Sequence, residues 1–454
     1  MLGFASTTRV WGVLRHVAIP AAAALSLAAP GAAQETVTLA EADRLMADNE
    51  LELQVLDLEQ EVAAEVVRQA LGERLPRVAL EISYVQTQQD IVNQDNETFQ
   101  EGSSTYPTTT ATLSVTQPIY DAARFRALPL ARAEEALVEA EAAAARNEIS
   151  RRLVETFLEV ARRQIEIDRA RTIVRVRTQY QRELGLLVEA GRVDADAELR
   201  AESDVFAARA RLSEAELDLA DALFELQRFT GAGVEGVEFG PGVGVADLAQ
   251  FRETFTPGRL DALNPRIQVA RAELDVARRT LAQVRGTFQP TANLTLEYSD
   301  EQTEGSLFGG GSNVRTGEVG VELGWSIYEG GVRRSRMREA ERRVEIAELR
   351  LRQQQDRAER RYTSLISALE RSLEAAAAAA QDARVAAERY DAALAQQDAG
   401  RIGFERVFET QLRRDTARLQ ARLARLRAVR LQADLYALFG ALDVGALSED
   451  FANT

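Results

Sequence analysis

The sequence predicts an α+β membrane protein made of one unit used twice: a helix, two strands and a long helical hairpin. Three observations carry this prediction. Val319, Val321, Leu323, Trp325 and Ile327 alternate with Glu318, Gly320, Glu322, Gly324 and Ser326, a period-two pattern with one apolar and one polar face. Long proline-free, Arg/Glu/Ala-rich stretches follow such strands, as from Gly331 to Gln397. The same landmarks then recur in order: Pro76 and Pro290, Ile119-Tyr120-Asp121 and Ile327-Tyr328-Glu329, Ala190-Gly191-Arg192-Val193 and Ala399-Gly400-Arg401-Ile402. Chance likeness is common between Ala/Glu/Arg-rich helices, so the proline, strand and turn landmarks carry the duplication.

Composition excludes most catalysis. The 454 residues hold no cysteine and no lysine, and the one histidine is His16. Thiol chemistry, thiolate metal sites, a Ser-His-Asp triad and a Schiff-base lysine all lack their side chains. No enzyme activity and no cofactor are therefore expected. The net charge of −16 becomes −18 once Arg9 and Arg15 are removed with a leader, leaving 53 arginines against 71 acids. Such a surface repels nucleic acid and anionic lipid.

Residues 1–33 read as a secretory signal peptide, with Arg9, Arg15 and His16, an apolar run from Val17 to Ala29, and a small-residue cleavage site at Gly31-Ala32-Ala33. The run is too short to span a bilayer as a helix; an unprocessed N-terminal anchor is the other reading. The first repeat covers 34–230. Thr38 and Glu41 form a capping box for a helix running to about Glu73, which Pro76 stops. Strands are expected over about 77–87 and 108–119, with a polar loop from Gln86 to Pro107 between them. A helical hairpin over about 130–229 follows, with a break or kink at Pro129 and an Asp194-capped return helix ended by Thr230-Gly231.

Residues 231–260 read as a Gly-rich connector. The second repeat covers 261–441, with strands over about 290–299 and 316–328 around a Gly/Ser loop and a hairpin over about 331–439. Leu412, Leu419, Leu426 and Ala433 recur every seven residues, as in an interhelical seam. Residues 442–454 form a tail.

Strands of about ten residues match a tilted membrane span, and Tyr84, Tyr120, Tyr298, Trp325 and Tyr328 lie near strand ends, where interfacial girdles sit. The alternative is two hairpins on a soluble core. Four strands cannot close a barrel, and open edges are not tolerated in lipid. Several chains must then share one barrel; a cyclic homotrimer supplies twelve strands, with the helices continuing as a tube.

This order of elements, behind a signal peptide, resembles the TolC family of outer-membrane efflux proteins. The resemblance rests on Thr38-Leu39-Ala40-Glu41-Ala42, on Gln117-Pro118-Ile119-Tyr120-Asp121, on Trp325 through Gly331, and on the tips, Gly191-Arg192-Val193 leading to Arg200-Ala201-Glu202 and Gly400-Arg401-Ile402. It implies a trimeric twelve-stranded β-barrel in the outer membrane and a long α-helical barrel in the periplasm. Such a duct docks to a periplasmic adaptor and an inner-membrane pump or secretion transporter. A periplasmic coiled-coil scaffold or adaptor is the rival reading. In the member that gives the family its name, two acidic residues three apart ring the entrance shortly after the second tip. Those positions fall here on Arg406 and Glu409, so only the second keeps the acid, with Glu405 adjacent. Glu409 either faces the entrance or pairs with Arg413 one turn on. Gly191 and Gly400 let the chain reverse, and Arg192 and Arg401 protrude as adaptor contacts or solvated tip charges.

Overall fold

The computed structural model describes residues 36–91, 102–238, 252–305 and 310–442. The leader and nearly all of the C-terminal tail lie outside the described residues, as do parts of both inter-strand loops and of the connector.

Thr38 caps α1 (Leu39–Asn49) through the expected capping box, with its hydroxyl accepting from the Glu41 amide and the Glu41 carboxylate accepting from the Thr38 amide. The single helix expected to reach Glu73 is two. Glu50 is extended (φ −74°, ψ 109°), ending α1 and capping α2 (Leu51–Gly72). β1 (Arg77–Ile91) and β2 (Gly102–Asp121) then form an antiparallel ladder. Both run past the lengths that alternation predicts, because Gln86, Gln88 and their partners keep strand pairing after the apolar pattern has stopped.

The break or kink expected at Pro129 is absent as a break: α3 (Ala122–Glu189) is continuous through it. A proline inside a helix frees the carbonyl four residues back, here that of Phe125. The Arg74 guanidinium donates to that carbonyl and lies 5.6 Å from the Phe125 ring. Gln117 in turn donates to the Arg74 carbonyl at 2.9 Å. A side chain 51 residues upstream thus replaces the lost helical bond.

α4 (Ala195–Thr230) returns antiparallel to α3. Val37 and Val237 then pair as an isolated bridge, and α5 (Pro257–Leu263) leads into α6 (Pro265–Gly286). β3 (Thr291–Thr303), β4 (Ser312–Gly324), α7 (Val332–Asp398) and α8 (Phe404–Leu438) complete the second unit. The expected strand to residue 328 stops at Gly324. Beyond it the Trp325 indole donates to the Phe288 carbonyl at 3.2 Å, and Ser326 donates to Glu329.

The helices pack as a layer. Its lower half has the order α4-α3-α8-α7 and its upper half α2-α3-α6-α7. The two halves join by matching devices. Asn49 at the end of α1 donates to the Thr230 carbonyl at 3.0 Å, and Asn264 ahead of α6 donates to the Leu438 carbonyl at 2.7 Å. Each return helix is followed by a left-handed glycine, Gly231 (φ 64°) and Gly440 (φ 62°). Short upper helices therefore stack on the ends of long return helices. At these junctions lies the main core, where Ile149, Leu153 and Phe157 of α3 meet Leu226 and Phe229 of α4 and Leu426 and Val429 of α8. Leu419, Leu426 and Ala433 of the seven-residue seam are buried there.

Candidate functional site

Two regions follow from this frame: the sheet at one end of the helical layer and the hairpin tips at the other. The sheet order is β1-β2-β3-β4, all antiparallel. Register places Val78, Val115, Leu296 and Val319 side by side, and Leu80, Leu113 and Tyr298 in the next row but one. The row between them is Ala79, Ser114, Glu297 and Glu318. One face is therefore apolar and the other polar across all four strands, as a period of two requires. Among the described residues no element covers the apolar face: Leu80 is 67% exposed and Val319 75%. Strands β1 and β4 are edges, each with one side unpaired among the described residues.

On β3 and β4 the apolar face ends after Tyr298, whereas on β1 it runs on through Ile82 to Tyr84. Two rows beyond Tyr298, Asp300 pairs with Arg315, whose Nε lies 2.9 Å from the carboxylate. Of the predicted interfacial aromatics, Tyr84 and Tyr298 lie toward that far end, while Tyr120, Trp325 and Tyr328 lie at the helical end. The ladder skips Ile119, so that Tyr120 pairs with Ala292 on the apolar side. A bulge of this kind re-aims the side chain that follows it. The Tyr120 hydroxyl donates to Gln289, whereas Tyr328 is 84% exposed.

At the opposite end the two tips are built alike. Gly191 and Gly400 both have φ 67°. The Arg192 amide donates to Leu187 O at 2.9 Å and the Arg401 amide to Gln396 O at 2.8 Å, closing the same six-residue C-cap in each hairpin. Arg192 and Arg401 are exposed. The start of α8 then departs from its counterpart in α4. Phe404 and Phe408 enclose Tyr180 of α3, with ring centroids 5.6 and 5.7 Å away. The Tyr180 hydroxyl donates to Glu405 at 3.3 Å. Burial, with Glu405 next, pushes the Tyr180 phenol above its usual range. Sequence reading missed this cluster, although Phe404 and Phe408 stand four apart on one helix face.

Arg406 and Glu409 lie three apart on α8 and pair with each other at 2.7 Å. Glu409 therefore has a different partner from the one first considered, since Arg413 reaches across to Asp382 at 2.9 Å. Both Arg406 and Glu409 remain exposed, with Tyr180 and Glu405 beside them. The structure thus brings Arg406, Glu409 and Glu405 together near the second tip, while the aromatics lie at the other end of the molecule.

Among the described residues, no group of histidine, cysteine or acidic side chains is placed to hold a metal, and no helix is long and apolar enough to cross a membrane. The latter says nothing of β-strands.

No curated protein matches the sequence. Solved structures match its fold across nearly the whole chain. A membrane protein from Pseudomonas aeruginosa aligns with a TM-score of 0.74 at 17% identity, over 94% of this chain and 96% of that one. The CmeC outer membrane channel of Campylobacter jejuni gives 0.73 at 15% identity, over 91% and 90%. The open-state MtrE outer membrane channel of Neisseria gonorrhoeae gives 0.71 at 15%, over 89% of each. At these identities the likeness concerns the fold. The family itself rests on the sequence: the outer membrane efflux protein model matches residues 31–232 and 256–441, both repeats, and the chain belongs to that family.

Proposed function

We propose that the protein is the outer-membrane exit duct of a tripartite efflux or type I secretion system. In this reading three chains close a twelve-stranded barrel, and their helical layers close a tube reaching into the periplasm. Cargo arrives from an inner-membrane pump or secretion transporter through a periplasmic adaptor. The observation that carries the reading is the bare apolar face of a four-stranded sheet with two open edges. Exposed apolar area on this scale has no place in water, and open strand edges have none in lipid. Pairing β1 of one chain with β4 of the next removes both faults at once. The helical layer has matching open flanks. Leu51, Val55, Leu58 and Val62 form an exposed stripe along α2, and Ile346 and Leu349 are exposed on α7.

The site residues take their roles within this frame. Tyr84 and Tyr298 mark the outer interface, and Tyr120, Trp325 and Tyr328 the periplasmic one. Gly191 and Gly400 shape the tips, and Arg192 and Arg401 offer exposed charge to the adaptor. Arg406 and Glu409 line the entrance as a bonded pair, so a ring of three such pairs carries little net charge. That weakens the cation preference which three free carboxylates would give.

Purified protein reconstituted in planar bilayers tests the duct: discrete conductance is expected, and a non-conducting protein in the soluble fraction would refute it. Arg192→Glu combined with Arg401→Glu tests the tips; adaptor crosslinking should fall, and unchanged crosslinking removes that role.

A further inference from the structure

A cavity of about 540 Å³ lies midway along the helical layer, where α3, α6, α7 and α8 meet. Its walls include Arg151, Arg266, Arg357 and Arg361, against two carboxylates, Glu148 and Asp434. In a chain of net charge −16 this is a local cationic excess.

The carboxylates are already engaged. Glu148 holds Arg151 at 2.7 Å, and Asp434 lies 3.6 Å from Arg151 and 3.8 Å from Arg361. Arg266 and Arg357 have no carboxylate within 4.0 Å among the described residues. Gln354, Arg357 and Arg361 stand three and four apart on α7, so their donors form one stripe. Arg266 reaches the same cavity from α6. The neighbouring cavity above shares Arg266 and Gln354 and adds Arg350, but Glu141 and Glu273 balance its two arginines, so the cationic excess is confined to the lower cavity.

We infer that this cavity binds a small organic anion carrying two carboxylate or phosphate groups, one held by Arg266 and the other by Arg357, with Gln354 donating between them. Guanidinium forks suit both chemistries, since two parallel N–H donors match two oxygens. Two cations on opposed helices suit a ligand with two anionic ends, and the cavity holds more than one oxyanion. A lipid headgroup is the wrong source. Arg357 stands 25 residues into α7, roughly 38 Å below the barrel end of that helix. That is several Debye lengths from a membrane surface. This last step alone rests on the proposed barrel placement.

The test uses the purified full-length protein in detergent, titrated calorimetrically with citrate and, separately, with inorganic phosphate. Saturable citrate binding at one site per chain is expected, with phosphate weaker. Losing one charged hydrogen-bond donor weakens such binding by about tenfold or more, so Arg266→Gln and Arg357→Gln should each do so. Arg384→Gln, elsewhere on α7 and paired with Glu388, should leave it unchanged. Wild-type protein without saturable citrate binding overturns the site, whatever the variants do. Phosphate binding as tightly as citrate overturns the two-ended ligand. Equal losses in Arg384→Gln and Arg357→Gln reduce the effect to general surface charge.

Discussion

At the scale of single residues, unusual positions are explained by what stands opposite them. Pro129 is tolerated inside a helix of 68 residues because Arg74 takes up the Phe125 carbonyl. Arg74→Ala should therefore destabilise the protein by about 1–3 kcal/mol, the cost of a part-buried acceptor left unpaired. Arg74→Ala in a Pro129→Ala background should cost much less, because the helix then supplies its own donor; denaturant unfolding of both variants checks this. Gly286 is constrained from outside. A Cβ there would lie 2.7 Å from the Ala123 amide nitrogen and 2.8 Å from the Ala122 carbonyl carbon, so α6 and the start of α3 would have to separate. Gly286→Ala is expected to lower the yield of assembled protein, whereas Gly258→Ala, with nothing within 4 Å, should not.

Charge makes its own prediction at this scale. Hydrogen bonding from Arg162 holds the Glu159 carboxyl below the usual carboxylate range. Because the folded-state pKa is depressed, the stabilisation is present above the unfolded value and is lost as pH falls through the folded one. Both side chains are more than a third exposed, so the effect is about 1 kcal/mol or less. Glu159→Gln should thus be slightly less stable than wild type at neutral pH and equal to it in acid. A stability difference that persists at low pH would remove the assignment.

At the scale of elements, the two faces of the sheet make opposite predictions. Leu296→Arg places a charge on the apolar face and should cost about 2–4 kcal/mol if that face meets lipid. Thr295→Arg, one residue away on the polar face, should fold and change conductance or ion selectivity instead. Comparing the heat resistance of the assembled species with single-channel currents separates the two. The helix junctions are a second element-scale device. Asn49 and Asn264 serve equivalent ends, which explains why such a polar side chain as Asn264 is buried. The alternation and the caps were legible in the sequence because both are local. The split at Glu50 was not, since its one local signal, Asp48-Asn49, is weak without a glycine or proline, and the contact that uses Asn49 is made with Thr230 far along the chain.

At the scale of the whole molecule, the open edges dominate. With no cysteine in the chain, introduced thiols report contacts without background. Leu80→Cys on β1, combined in turn with Val319→Cys, Val321→Cys and Leu323→Cys on β4, should give disulfide-linked dimers and trimers in at least one register. Monomeric bands in every register, from folded protein, would refute the proposed closure.

By itself the sequence determined the duplication, the strand faces and the tip turns. The duplication depends on landmarks that recur in the same order, the strand faces on short-range periodicity, and the tips on a glycine at positive φ. Only the tertiary structure decided which distant groups meet, Arg74 with Phe125, Asn264 with Leu438 and Tyr180 with Glu405, and that Arg413 reaches across to Asp382, leaving Glu409 to its near neighbour Arg406. Such pairings depend on how long helices stack and which rotamers their side chains adopt. An exposed arginine on a helix has carboxylates within reach on several sides, and local spacing does not choose between them.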